Sequence, residues 1–201
     1  MQIQTFSVGM LSTNCYVVSC SETREAVIID PGFDAAPEAK QIICYVDTST
    51  LKVKFIVNTH GHSDHISGNG ILKRKYGVPI CIHVYDSPCL SGLDENIPPA
   101  NVLLEAEGLL KFGQVTLKVM HTPGHTRGSV SLVGEGLVFT GDTLFAGGIG
   151  RTDFTGGSDR EMRLSLEKLL CLPDSDVVYP GHGFVSTIGE EKRVNPFLRW
   201  L

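Results

Sequence analysis

Apolar and β-branched positions fall into short runs at Ile3 to Val8, Cys15 to Ser19, Ala26 to Asp30 and Phe55 to Asn58, and runs of this length and composition predict strands. Between and after them, Ala35 to Asp47 and Ser67 to Tyr76 carry apolar residues at helical spacing. The second half repeats the alternation. Pro79 to His83, Val115 to Met120, Ser129 to Val133, Leu137 to Thr140 and Val177 to Tyr179 are strand-like, while Asp159 to Leu170 has the helical period. Leu90 to Leu110, with Pro98-Pro99, is the least regular stretch and reads as a surface connection. Each half thus offers a sheet and helices to cover it. The economical solution is a layered α/β protein with two central sheets packed together and helices outside.

Composition narrows this to one unit. A chain of 201 residues, 42% hydrophobic, supports one sizeable core and is short for two, so residues 1–201 are expected to form a single domain. The net charge of −5, without a lysine or arginine block, argues against nucleic acid as a partner and hence against a nuclease. No basic and apolar leader opens the chain and no long apolar span follows, so a cytoplasmic protein with no membrane partner is expected. The six cysteines lack Cys-x2-Cys spacing and are expected to be reduced and mostly buried.

Thr59-His60-Gly61-His62-Ser63-Asp64-His65, directly after an apolar run, concentrates three of the seven histidines and a carboxylate. Imidazole nitrogen and carboxylate oxygen suit zinc, iron or manganese. His60 and His62 are two apart rather than four, so the backbone is extended or turning, not the helix that presents two histidines on one face. Gly61 fits a place where a Cβ would crowd the site. Three further blocks share one grammar, a ligand-type residue after a glycine at the end of an apolar run: Gly124-His125, Gly141-Asp142 and Gly181-His182. The total is seven potential ligands, enough for two metals if one carboxylate bridges.

These blocks, with Thr13-Asn14-Cys15-Tyr16, Ile29-Asp30-Pro31-Gly32 and Asn195-Pro196-Phe197-Leu198, resemble the metallo-β-lactamase superfamily over essentially the whole chain, and within it the glyoxalase II-like branch. The resemblance implies an αββα sandwich with the site at one edge of the two sheets. It implies two divalent metals, zinc first and iron or manganese as alternatives, with His60, His62 and His125 on one, Asp64, His65 and His182 on the other, and Asp142 bridging. Asp30 matches the family's buried acidic residue, which either orients a ligand or merely ends a strand before Pro31.

Within the superfamily, lactamases proper place cysteine or other residues where this chain has Asp142, and the flavodiiron branch has a glutamate in the first block where this chain has His62. Full-length glyoxalase II continues into a helical, glutathione-binding region, whereas this chain stops nineteen residues after His182 and resembles the shorter single-domain form. The implied activity is hydrolysis of a small-molecule S-acyl thioester: a water bridging the metals is acidified, attacks the carbonyl as hydroxide, and expels a thiolate that needs no general acid. Asp64 and Asp142 are the catalytic carboxylates in this reading, Asp64 also accepting a hydrogen bond from the nucleophile. The alternative is a persulfide dioxygenase with a single iron, because those enzymes share the Gly-Arg-Thr-Asp-Phe stretch that starts at Gly150. A non-catalytic metal-binding or redox-sensing module is a third possibility, though it would not need two converging metal positions.

Arg151 is the candidate substrate contact, since a guanidinium grips a carboxylate in bidentate fashion; the competing reading is an ion pair with Asp153 or Asp159. His83 and His121 are expected to be structural, and Cys15 has no partner that would make it a nucleophile. The oligomeric state, the acyl group and the thiol are not legible.

Overall fold

The computed structural model describes residues 1–33, 36–90 and 97–199. One sheet holds β1 (Gln2–Val8), β2 (Thr13–Ser19), β3 (Glu25–Ile29), β4 (Lys52–Val57), β5 (Ile80–His83) and β6 (Val102–Leu104), side by side in that order. The β1–β2–β3 pairs are antiparallel and the β3–β4–β5–β6 pairs parallel. The second sheet contains β7 (Leu109–Phe112), β8 (Val115–His121), β9 (Val130–Gly134) and β10 (Leu137–Gly141). After a two-stranded ribbon, β11 (Leu144–Phe145) with β12 (Gly148–Ile149), it is completed by β13 (Val177–Pro180) and β14 (Ser186–Thr187) in the order β14-β13-β10-β9-β8-β7.

Period-2 side-chain alternation explains the layers. Tyr16, Val18, Val27, Ile29 and Val57 point from the first sheet into a shared core with Leu117, Val119, Leu132 and Phe139 of the second. Their strand neighbours Val17, Ile28 and Ile56 point the other way, onto Ile42 and Val46 of α1 (Ala36–Thr48) and Leu72 of α3 (Asn69–Tyr76). Val138 and Val178 on the outer face of the second sheet meet Met162, Leu166 and Leu169 of α4 (Asp159–Leu170) and Ile188 of α5 (Ile188–Val194). This is the αββα sandwich. Helix α4 starts where Ser158 Oγ accepts from Glu161 N–H at 3.3 Å, with Asp159 and Glu161 in the first turn and Lys168 in the last, each suited to the helix dipole. Leu166→Ala would cost about 2–5 kcal/mol by opening the third core cluster.

Several expectations are corrected. Leu90 to Leu110 is not only a connection, because β6 and the start of β7 lie inside it; β6 is a three-residue edge strand with two exposed positions, too short for periodicity to reveal. Residues 91–96 of that segment, and Ala35 as the predicted helix start, lie outside the described residues. The Ser67 to Tyr76 helix is α3, which begins at Asn69; the short α2 (Ser63–Ile66) before it and α5 carry no strong sequence signal. Cys15, Cys20 and Cys81 are buried and Cys89 half-buried, but Cys44 and Cys171 are exposed; all six are free thiols. Among the described residues no helix is long and apolar enough to cross a membrane.

Candidate metal centre

The ligand-type residues sit at strand ends on one edge of the sandwich. His60 and His62 follow β4, Asp64 and His65 lie in α2, and His125, Asp142 and His182 follow β8, β10 and β13. His62 is extended (φ −71°, ψ 146°), as its spacing predicts, and a short helix begins immediately after it. All seven converge. Donor atoms of His60, His62 and His125 lie within 4.8 Å of one another, as do those of Asp64, His65 and His182, and a third grouping of His60, His65 and Asp142 joins the two. Asp142 spans them: Oδ2 is 3.4 Å from His125 Nε2 and 3.5 Å from His182 Nε2, and Oδ1 is 3.4 Å from His65 Nε2.

The protein fixes which nitrogen of each ring faces inward. His125 Nδ1 is 2.8 Å from the Arg151 carbonyl and His182 Nδ1 is 3.1 Å from the Leu11 carbonyl; a carbonyl only accepts, so both Nδ1 atoms carry the proton. Asp30 organises the other two. Its buried carboxylate accepts from Thr59 N–H and Thr59 Oγ1, both at 2.7 Å, and lies 3.0 Å from His65 Nδ1; Thr59 Oγ1 in turn lies 3.2 Å from His60 Nδ1. Asp30 therefore holds His65 directly and His60 through one hydroxyl, which is more than ending a strand. The Nε2 atoms of His60, His65, His125 and His182 are thereby aimed at one small volume.

That arrangement fits metal ions. His62 Nδ1 stands 3.2 Å from His60 Nε2 and 2.9 Å from His125 Nε2, while His65 Nε2 and His182 Nε2 are 3.3 Å apart. Nitrogens about 2.1 Å from a tetrahedral zinc ion would be roughly 3.4 Å apart, so these are ligand-to-ligand spacings. Inward lone pairs this close repel unless a proton or cation lies among them. Asp142 Oδ1 is buried without a hydrogen-bond partner, a further unmet demand for positive charge. Ionisation follows the same logic. Burial, then the neighbouring rings, hold His60 well below its usual range, and burial with His125 lowers His62. Burial pulls His182 down too, but Asp142 and Asp64 outweigh it and push the ring up to about 10.

A profile of the metallo-beta-lactamase superfamily matches residues 8–182. The chain belongs to that superfamily. It is 36% identical to hydroxyacylglutathione hydrolase GloC of Haemophilus influenzae over 98% of both chains, and 37% identical to the human mitochondrial persulfide dioxygenase ETHE1 over 92% of this chain and 71% of that one. Among solved structures it resembles the BLEG-1 B3 metallo-beta-lactamase (TM-score 0.90, 35% identity, 98% of this chain and 100% of the other). It also resembles TTHA1623 in a di-iron-bound form (TM-score 0.85, 35% identity, 97% and 100%). The superfamily fold is thus common ground, and the convergent histidines and aspartates are this chain's own candidate metal cluster.

Arg151 is where the two sequence readings meet. Its guanidinium makes a bidentate pair with Asp153, both contacts 2.7 Å, and stacks 3.7 Å above the Phe154 ring, which lies nearly perpendicular to the His62 ring with centroids 5.8 Å apart. Asp159 instead accepts from Thr152 Oγ1. The Arg151 charge is exposed at the rim while its backbone carbonyl holds His125. His121 stays outside the cluster, stacked on His83 at 4.3 Å.

Some supports were not foreseen. Asn14 Nδ2 and Tyr16 OH both donate to the Pro180 carbonyl, at 3.0 and 2.6 Å, and fix the turn that delivers His182. Thr13 Oγ1 donates to Asp64 Oδ2 at 3.2 Å. Gly181 packs so closely that a Cβ there would lie 2.2 Å from Asp142 Oδ1. Asp86, buried after β5, bonds to both loops of the first ligand group. The Thr-Asn-Cys-Tyr block was visible as a motif, but nothing in its spelling shows that it holds His182.

Proposed function

We propose that this protein is a glyoxalase II-like hydrolase of small-molecule S-acyl thioesters that works with two divalent ions per chain, zinc first, with iron or manganese also suited to the donors. The observation that carries this reading is the convergence of seven donors into two groups that share Asp142. When bound, such ions acidify water towards neutral pH and polarise a carbonyl. The residues do the rest. Asp142 sets the spacing of the two groups. Asp64, anchored by Thr13, completes the second group and accepts a hydrogen bond from the attacking water. Arg151 at the rim exchanges Asp153 for a carboxylate on the substrate. A thiolate, whose conjugate acid has a pKa near about 8.5, leaves unprotonated, so no general acid is required. The resemblance to GloC of Haemophilus influenzae supports the thioester, and the net charge of −5 supports a small molecule over a nucleic acid. We place this activity in the cytoplasm and in residues 1–201 acting as one domain.

A second reading, a persulfide dioxygenase using one iron at His60, His62 and His125, is favoured by the 37% identity to human ETHE1. One variant separates them. In the hydrolase, His182→Ala removes a ligand of the second group and should abolish thiol release from S-lactoylglutathione and from thioesters of other small thiols. Retained oxygen consumption with glutathione persulfide by the same iron-loaded variant, and no thiol release by the wild type, would establish the dioxygenase instead.

A further inference from the structure

Asp86 lies outside the seven ligands, yet it touches both loops that form the first group. The residue is 4% exposed. Oδ2 accepts from Gly61 N–H at 2.9 Å and from Thr126 Oγ1 at 2.6 Å, and Oδ1 accepts from Gly128 N–H at 2.8 Å. Gly61 sits between His60 and His62, and Thr126 follows His125. One carboxylate thus joins chain segments 25 and 42 residues away, each carrying ligands of the same metal group.

Two further facts argue against a generic buried acid. Among the described residues no lysine, arginine or histidine nitrogen forms an ion pair with Asp86, so its charge is met only by these donors. The backbone is also shaped to admit it. A Cβ on Gly128 would lie 2.5 Å from Asp86 Cγ, and a Cβ on Gly61 would lie 3.2 Å from Asp86 Cβ and 2.8 Å from Cys89. The second group is linked through other residues, Thr13 Oγ1 donating to Asp64 Oδ2 while Asn14 and Tyr16 hold the Pro180 carbonyl ahead of His182, so the bridge made by Asp86 serves the first group alone. A buried carboxylate is costly unless its hydrogen bonds are made; losing the His125 turn would strip Oδ1 of its donor, and losing the Gly61 turn would remove one of the two donors on Oδ2. Its geometry therefore stabilises the one loop separation at which all three bonds form.

We propose that Asp86 is the positioning residue of the first metal group: by bonding the His60-Gly61-His62 turn to the His125 turn, it sets the spacing of those three imidazoles and the affinity of that group for its ion. The inference concerns metal holding and stands whether the reaction is hydrolysis or oxidation.

The test isolates each group. Zinc affinity is measured by competition with a chromophoric chelator in His182→Ala, which keeps the first group, and in His62→Ala, which keeps the second, each with and without Asp86→Ala. Asp86→Ala should weaken zinc binding roughly 10–100-fold in the His182→Ala protein, the range for removing a support behind metal ligands, and less than about threefold in the His62→Ala protein. Asp86→Asn, which can still accept one of the two backbone bonds, should fall between. If Asp86→Ala does not fold, Thr126→Val removes one donor and should show the same selectivity at roughly tenfold. Equal weakening in both backgrounds, or none in either, would overturn the assignment and leave Asp86 an ordinary core residue.

Discussion

The two ligand groups are built differently although they share Asp142. His60, His62 and His125 are all imidazoles, two of them buried, on loops that Asp86 joins; burial and mutual repulsion hold His60 and His62 neutral before any ion arrives. The second group contains a carboxylate. Only His65 is fully buried; Asp64 and His182 are partly open to solvent, and His182 is tied to the β1–β2 turn through Leu11, beside the exposed side chains of Met10 and Phe184. The first group is thus an all-imidazole socket with two rings held neutral in advance, and the second an acidic, more open one that holds a proton where a cation belongs. Ions should fill the first more readily, and substrate should approach across the second.

The largest break of this contrast is Asp142→Ala, which removes the one residue common to both groups. Thioester turnover should fall by more than about a thousandfold, several kcal/mol of lost transition-state stabilisation, and the metal content should drop below two per chain. Retention of both ions would show that Asp142 does not couple the groups.

Proton linkage separates the groups next. The His182 pKa rises from 6.5 to about 10 in the metal-free fold, so its contribution to stability is fully present below 6.5 and is lost as pH rises through about 10. Asp64 and Asp142, where hydrogen bonds and charge from the histidines outweigh burial, are held below 3.8; their contribution is present above 3.8 and lost as pH falls through their folded values. In the metal-free protein the contributions of Asp64, Asp142 and His182 are therefore present together between 3.8 and 6.5. An ion must displace the His182 proton, so zinc affinity of the second group, measured in His62→Ala, should climb by roughly tenfold per pH unit between about 7 and 9. The first group, measured in His182→Ala, should be nearly flat, and equal slopes would dissolve the distinction.

Arg151→Ala is the mildest. If the guanidinium leaves Asp153 for substrate, KM for an anionic thioester should rise about threefold to tenfold at unchanged metal content, while KM for a neutral thioester stays put. Loss of an exposed pair should change stability by no more than about 1 kcal/mol. An unchanged KM for both substrates would leave Arg151 as only the partner of Asp153 and the carbonyl that holds His125.

The seven ligands were legible because each is a chemically distinctive side chain at the end of an apolar run, and the sandwich because both faces of its central strands are apolar. Asp86 was not. Its partners are two backbone N–H groups and a threonine hydroxyl, which leave no mark in the order of residues. The strands β6 and β14 and the ribbon β11–β12 are too short for a period to register, and only pairing with neighbours defines them. Arg151 had three candidate partners in sequence, and the structure assigns its side chain to Asp153 while Asp159 takes Thr152.

The claim that both groups act together in hydrolysis is tested most directly on one preparation of fully loaded protein, by counting metals per chain while following thiol release from S-lactoylglutathione and oxygen uptake with glutathione persulfide. Two ions per chain, thiol release that a chelator abolishes and divalent ions restore, and no oxygen uptake are the expected result. One iron per chain with oxygen uptake and no thiol release would contradict it.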